Sequence, residues 1–167
     1  MNLHCLKICF FLLLTIGIIV SQDQCYKNAY YFIAASSAPH LALDASNPLN
    51  VKLQQLNDVN GFQIFEFRCS TRIGTYKIIN TMTGFFLTAE NVDAYHHKVT
   101  ITANASSPYQ DWIFNSRGDI FNVALFGALG AEDEKVSPGV NLEVRVNVTT
   151  LGLFQIFTLT PVPLPYE

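Results

Sequence analysis

The sequence predicts an all-β chain built from three related units of four short strands each. Three observations carry this: one short phrase recurs three times, turn-forming clusters separate short apolar runs, and no stretch holds a sustained helical period. The phrase reads Phe62-Gln63-Ile64-Phe65, then Tyr109-Gln110-Asp111-Trp112, then Phe154-Gln155-Ile156-Phe157, with the glutamines 47 and 45 residues apart. Gln24-Cys25-Tyr26 is the kind of stray match that composition produces, and it lacks the leading aromatic residue. The apolar register continues at Phe67, Phe114 and Leu159, so each phrase reads as a half-buried strand with its glutamine turned toward core aromatics. A buried amide must satisfy its donors and its acceptor. Gln63, Gln110 and Gln155 are therefore expected to bond nearby backbone and pin turns.

In chain order, residues 1–21 read as a secretory signal peptide. Lys7 is the only charged residue there, an apolar run from Ile8 to Val20 follows it, and Ser21 offers a small residue for cleavage. The run is short and early for a membrane span of about 20 residues. An uncleaved anchor is the rival reading. Residues 22–160 form the domain. Its first unit offers strands at Tyr30–Ala35, Leu41–Ala45, Asn50–Leu56 and Phe62–Arg68, separated by Ser36-Ser37-Ala38-Pro39, Asn47-Pro48 and Asn57-Asp58-Val59-Asn60-Gly61. The second offers Thr75–Thr81, Phe85–Glu90, Val99–Ala103 and Gln110–Ser116, with Thr83-Gly84 as a hairpin turn. Asp119–Leu125, Ala128–Ala131, Val140–Val146 and Phe154–Thr160 make the third. Residues 161–167 begin Pro161-Val162-Pro163-Leu164-Pro165, which cannot continue a ladder and reads as an extended tail.

Composition narrows the partners. After the signal, the chain is the size of one ordinary domain and keeps nine Lys plus Arg against 13 Asp plus Glu. No basic cluster stands out, which argues against nucleic acid and anionic membranes, and no later segment is apolar enough to span a bilayer. Charged residues are only 14%, below the ~25% usual for soluble domains. Glycans would help such a surface stay soluble, and the sequons at Asn104 and Asn147 fit an exported glycoprotein. Cys5 and Cys9 leave with the signal, so Cys25 and Cys69 remain. An even pair in an exported chain favours a disulfide. If the strand near Tyr30 pairs antiparallel with the one ending near Arg68, these two cysteines become neighbours.

At this point the chain resembles the ricin B-type lectin family, whose repeats carry a Gln-x-Trp phrase in the last strand. The likeness is strongest in the second unit, where Tyr76-Lys77-Ile78-Ile79-Asn80-Thr81-Met82-Thr83-Gly84-Phe85-Phe86-Leu87 leads to Gln110-Asp111-Trp112. The first unit keeps Tyr31-Phe32-Ile33 and Leu41-Ala42-Leu43-Asp44, the third Phe121-Asn122-Val123 and Ala128-Leu129. Phenylalanine replaces tryptophan in the first and third phrases. The resemblance implies a β-trefoil: three pseudo-repeats of four strands, forming a six-stranded barrel capped by three hairpins.

The resemblance also implies where a sugar would sit. A working site in this family uses an aspartate after the second-strand leucine, an aromatic platform in the third strand, and an asparagine before the closing glutamine. A carboxylate can accept from adjacent hydroxyls while a ring covers the apolar sugar face. Here Asp44 stands at the acid position of the first unit, with Gln54 at the platform and Phe62 at the asparagine. Thr88 and Tyr109 replace acid and asparagine in the second, Gly130 and Phe154 in the third. Asp44 is thus either a sugar-binding carboxylate helped by Lys52, Gln54 and His40, or a turn former bonding its own backbone.

Other constellations are weaker. Adjacent His96 and His97 would point to opposite faces of a strand, so a solvated loop is expected rather than a metal site. Glu132-Asp133-Glu134 lacks the alternating spacing of a calcium loop and reads as a solvated tip. Asp119 and Glu66 have no obvious partner. No Gly-x-Ser-x-Gly elbow, phosphate loop, His-Glu-x-x-His or Cys–His arrangement is present. The sequence therefore reads as a secreted, non-catalytic carbohydrate-binding module with no cofactor and with glycans or glycoproteins as partners. The alternative is a trefoil with decayed sugar sites that acts through protein contacts.

Overall fold

The computed structural model describes residues 29–92, 94–146 and 152–162. Twelve strands run in chain order: β1 (Ala29–Ala35), β2 (Ala38–Asp44), β3 (Lys52–Gln55), β4 (Ile64–Cys69), β5 (Tyr76–Asn80), β6 (Phe86–Ala89), β7 (His96–Thr102), β8 (Trp112–Phe114), β9 (Ile120–Asn122), β10 (Gly127–Ala131), β11 (Leu142–Val146) and β12 (Phe157–Pro161). The expected all-β class and the β-trefoil architecture are both present.

Six strands close a barrel. Antiparallel pairing links β12 to β1, β1 to β4, β4 to β5, β5 to β8 and β8 to β9. A single bridge between Asp119 and Ile156 completes the ring. Closure leaves these six strands without a free edge. The other six form the hairpins β2–β3, β6–β7 and β10–β11. These meet over one end, where β7 pairs with β11 and Lys52 bridges to Asn141.

The core repeats with the sequence. Phe65, Trp112 and Phe157 form one buried set, Ile33, Ile78 and Ile120 a second, and Leu43, Leu87 and Leu129 a third. Each set takes one residue from every unit, which is why period-two patterning suffices to specify three strand groups around one axis. At the opposite end Tyr31, Phe67, Tyr76, Phe114 and Leu159 line a recess of about 280 Å³. Phe67 sits at its centre, meeting Tyr31 and Tyr76 edge-on at 5.5 and 5.9 Å between ring centroids.

Several boundaries move. Each repeat glutamine ends a 3-10 turn (Gly61–Gln63, Pro108–Gln110, Leu153–Gln155), and the strand starts only after it. The turn lets the amide enter the interior sideways. Pro39 lies inside β2 rather than in the preceding turn. Pro161 likewise ends β12 opposite Tyr31, so the expected tail starts too early. A proline tolerates this place because a terminal ladder position can go without its N–H. The signal peptide, Cys25, Asn147 and the rest of the tail lie outside the described residues. Among the described residues, no helix is long and apolar enough to cross a membrane.

Candidate functional site

The three repeat glutamines are buried, at 1%, 0% and 0% exposure for Gln63, Gln110 and Gln155. Each meets a different neighbour at the family's acid position. In the first unit that neighbour is Asp44. Gln63 Nε2 donates to Asp44 Oδ2 at 3.0 Å and to the Gln55 carbonyl at 2.9 Å, while its Oε1 accepts from the Asn57 amide at 2.8 Å. Asn60 Nδ2 adds a second donor to Asp44 Oδ2 at 3.1 Å, and the Ser46 amide donates to Oδ1 at 2.8 Å. Asp44 is 5% exposed. Three of roughly four acceptor positions of the carboxylate are occupied, and the Ser46 bond is the local turn that the residue type favours.

The same hairpin gathers the other candidates. Lys52 lies opposite Asp44 and Gln54 opposite Ala42. His40 sits two places before Ala42, so His40, Asp44, Lys52 and Gln54 share one face of β2–β3. His40 is exposed, whereas Lys52 and Gln54 are half-buried. Phe62, half-buried in the 3-10 turn after this hairpin, stands at the asparagine position.

The second unit has closed its equivalent position with hydroxyls. Thr88 Oγ1 lies 2.8 Å from Thr102 Oγ1, and Gln110 Nε2 donates to both, at 3.0 and 2.9 Å, and to the Asn104 carbonyl. Tyr109 accepts from Asn91 Nδ2 through its hydroxyl at 3.3 Å. The third unit has filled its position with a ring. A Cβ on Gly130 would lie 2.8 Å from Gln155 Cγ and 3.2 Å from Phe154 Cδ2, so glycine there admits Phe154. Arg145 covers that ring at 5.0 Å from its centroid. Gln155 Oε1 accepts from the Gly152 amide at 3.2 Å. Its Nε2 has no hydrogen-bond partner among the described residues.

Arg145 also joins a charge network, donating to Glu143 Oε1 through Nε and to Glu134 at 2.8 Å. Burial acts to lower its pKa, but hydrogen bonds to and charge on Glu143 and Glu134 outweigh that and raise it. Glu132, Asp133 and Glu134 are all exposed, as a solvated tip should be, while Glu134 also pairs with Arg145 and Glu132 accepts from Asn141 Nδ2 at 2.8 Å. Three expectations are corrected here. His96 and His97 belong to β7 rather than a loop, on opposite faces, with His97 buried and His96 bonded to Glu143 Oε2 at 2.9 Å. Glu66 pairs with Arg68 at 2.8 Å. Asp119 accepts from Asn115 Nδ2 and faces Arg117 at 3.4 Å.

Two structural residues escaped the sequence reading. Asn80 and Asn122, both fully buried, close the first strand of units two and three. Asn80 Nδ2 donates to the Gly61, Phe62 and Ile64 carbonyls, and Asn122 Nδ2 to that of Tyr109. Their recurrence in Ile79-Asn80 and Phe121-Asn122 was the available signal. Asn104 is exposed in a turn, its Oδ1 accepting from the Ser106 amide at 3.0 Å.

No family profile matches the sequence, and no curated protein matches it. The fold has solved counterparts. The designed threefold-symmetric protein ThreeFoil superposes with a TM-score of 0.65 at 22% identity, over 81% of this chain and 99% of that one. The Polyporus squamosus lectin, solved with a sialylated influenza-binding epitope, gives 0.65 at 14% identity over 80% of this chain. This chain spans about half (49%) of that lectin. The C-half of an earthworm R-type lectin, solved with GalNAc, gives 0.59 at 13% identity over 80% and 98%. An exo-β-1,3-galactanase from Clostridium thermocellum also superposes, with a TM-score of 0.66 at 16% identity, over 80% of this chain but only 30% of its own. At these identities the likeness establishes the β-trefoil fold.

Proposed function

We propose that this protein is a secreted, non-catalytic carbohydrate-binding module that works from a single face, the β2–β3 hairpin. The observation that carries the reading is the fixed orientation of Asp44. Gln63, Asn60 and the Ser46 amide hold its carboxylate in place, leaving one acceptor position for a ligand hydroxyl. A pre-oriented acceptor loses little on binding. Lys52 and Gln54 beside it supply donors and His40 a rim. Lectins of the same fold, solved with glycans, support the ligand class. With one shallow polar site and no aromatic platform, affinity is low, and clustering on a glycosylated surface would supply avidity.

A glycan array on the mature protein, with competition by free sugar, tests this. Saturable binding that His40→Ala, Lys52→Ala or Gln54→Ala weakens supports the proposal. These three side chains are better probes than Asp44, whose removal would also disturb the turn.

A second reading rests on the sealed positions in the other two units: the Thr88–Thr102 pair and the Phe154 ring over Gly130. In that case exposed loops would contact protein instead. Val59 and Met82, 85% and 65% exposed, sit on adjoining loops joined by the Thr81 hydroxyl and the Gly61 carbonyl. Silence across the array, with retained fold, favours this reading.

A further inference from the structure

The hairpin cap holds a polar recess that belongs to none of the repeat sites. In the registers Leu43–Leu53, Leu87–Ile101 and Leu129–Val144, the equivalent residues two places earlier are Val51, Val99 and Leu142. Backbone bonds knit these together: the Val51 amide donates to the Val99 carbonyl at 3.1 Å, and the Leu142 amide to the Val51 carbonyl at 2.9 Å. The residues just before them, Asn50, Lys98 and Asn141, therefore surround the pseudo-threefold axis, one from each unit. They line a recess of about 230 Å³ together with Glu132 and Glu143.

The functional groups here are unevenly satisfied. Glu143, 7% exposed, is held on one side by Arg145 and on the other by His96. Glu132 is tethered to Asn141. By contrast, among the described residues the Lys98 ammonium has no ion pair or hydrogen bond, and neither has the Asn50 side-chain amide, although both are half-buried. A partly desolvated ammonium without a partner is unfavourable, and a ligand acceptor would relieve it. The remaining acceptors, the second oxygen of exposed Glu132 and the Asn141 amide oxygen, can each take a donor from a ligand. Groups that donate and accept at neighbouring atoms are vicinal hydroxyls, and the exposed side of Val92 supplies an apolar strip beside them.

We infer that this recess on the pseudo-threefold axis binds the terminal ring of a saccharide, with Lys98 and Asn50 donating to its oxygens and Glu132 and Asn141 accepting from its hydroxyls. The ligand class rests on the carbohydrate reading above, but the site is separate from the β2–β3 face. The recess holds one ring, not an oligosaccharide.

The test is an amide-resolved NMR titration of the mature protein with free galactose, N-acetylgalactosamine, glucose and mannose, repeated on Lys98→Met and Gln54→Ala. The expected result is saturable shifts at Asn50, Lys98 and Asn141, weakened about tenfold by Lys98→Met, the scale of one hydrogen bond to a charged group, and unchanged by Gln54→Ala. Among the described residues Lys98→Met removes no side-chain bond, and Trp112 fluorescence verifies its fold. Shifts confined to β2–β3 and sensitive to Gln54→Ala overturn the axial site and leave the hairpin site standing. Absence of shifts with all four sugars overturns both.

Discussion

The Gln63 amide and the Asp44 carboxylate form one buried unit, joined at 3.0 Å across 19 residues of chain. The bond ties the end of the first hairpin to the start of the closing strand. The other two Gln63 bonds, from the Asn57 amide and to the Gln55 carbonyl, fasten the intervening loop.

Gln63→Leu is accordingly expected to lower stability by about 2–4 kcal/mol, since it leaves a buried carboxylate and two partly buried backbone groups without their partner. Urea denaturation followed by circular dichroism measures it. A loss below about 0.5 kcal/mol, the ordinary range for a neutral surface change, would show that the amide is not a structural pin.

Trp112 offers a cleaner comparison, because its equivalents are Phe65 and Phe157. Its indole Nε1 donates to the Leu87 carbonyl at 3.0 Å in the dry interior. Trp112→Phe keeps a ring and strands that carbonyl, so a loss of about 1–3 kcal/mol is expected. In the wild type, the single tryptophan should emit at short wavelength and shift red on unfolding.

How much of this was legible beforehand depends on the physics behind each feature. Alternating apolar residues determined strand number and order, so β1 to β12 all fall within or beside the expected runs. The glutamines were identified as inward amides with backbone partners, but their 3-10 turns were not. Pattern reading assigns a period, and a three-residue turn is too short to have one. The sealed positions were hidden for another reason. Thr88 and Gly130 look like absent ligands in sequence, and only tertiary contact reveals that Thr102, Gln110 and Phe154 occupy the space. The sequence groups His40, Lys52 and Gln54 with Asp44 only as possible helpers, and the hairpin register then puts all four on one face; the axial recess combines residues from three units and has no local signature.

Gly130 tests the claim that Phe154 fills the third position. Gly130→Ala would force its new methyl against Gln155 and Phe154, with an expected loss of about 1–3 kcal/mol from overpacking. The paired variant Phe154→Ala/Gly130→Ala removes one of the two obstructing side chains. If the single change costs as much with Phe154 present as absent, the ring is not what occupies the site.

The pairing of Cys25 with Cys69 is expected on chain reach. Ala29 pairs with Phe67, two residues before Cys69, and Cys25 lies four positions before Ala29. Peptide mapping without reductant should recover the linked fragments. Reduction should lower stability by roughly 3–4 kcal/mol under the chain-entropy estimate.

Tyr31 lies directly across the ladder from Pro161, and the Val162 amide reaches the Tyr30 carbonyl at 2.9 Å. The first and last strands are thus neighbours in space. A circular permutant that joins residue 162 through a brief linker to the stretch before Ala29, keeping Cys25, and opens the chain at the Ser137-Pro138-Gly139 turn, would break no strand pairing. Its new ends would emerge in the β10–β11 turn, whose Gly139 amide meets the Leu53 carbonyl at 2.7 Å, a place to attach a reporter outside the barrel strands.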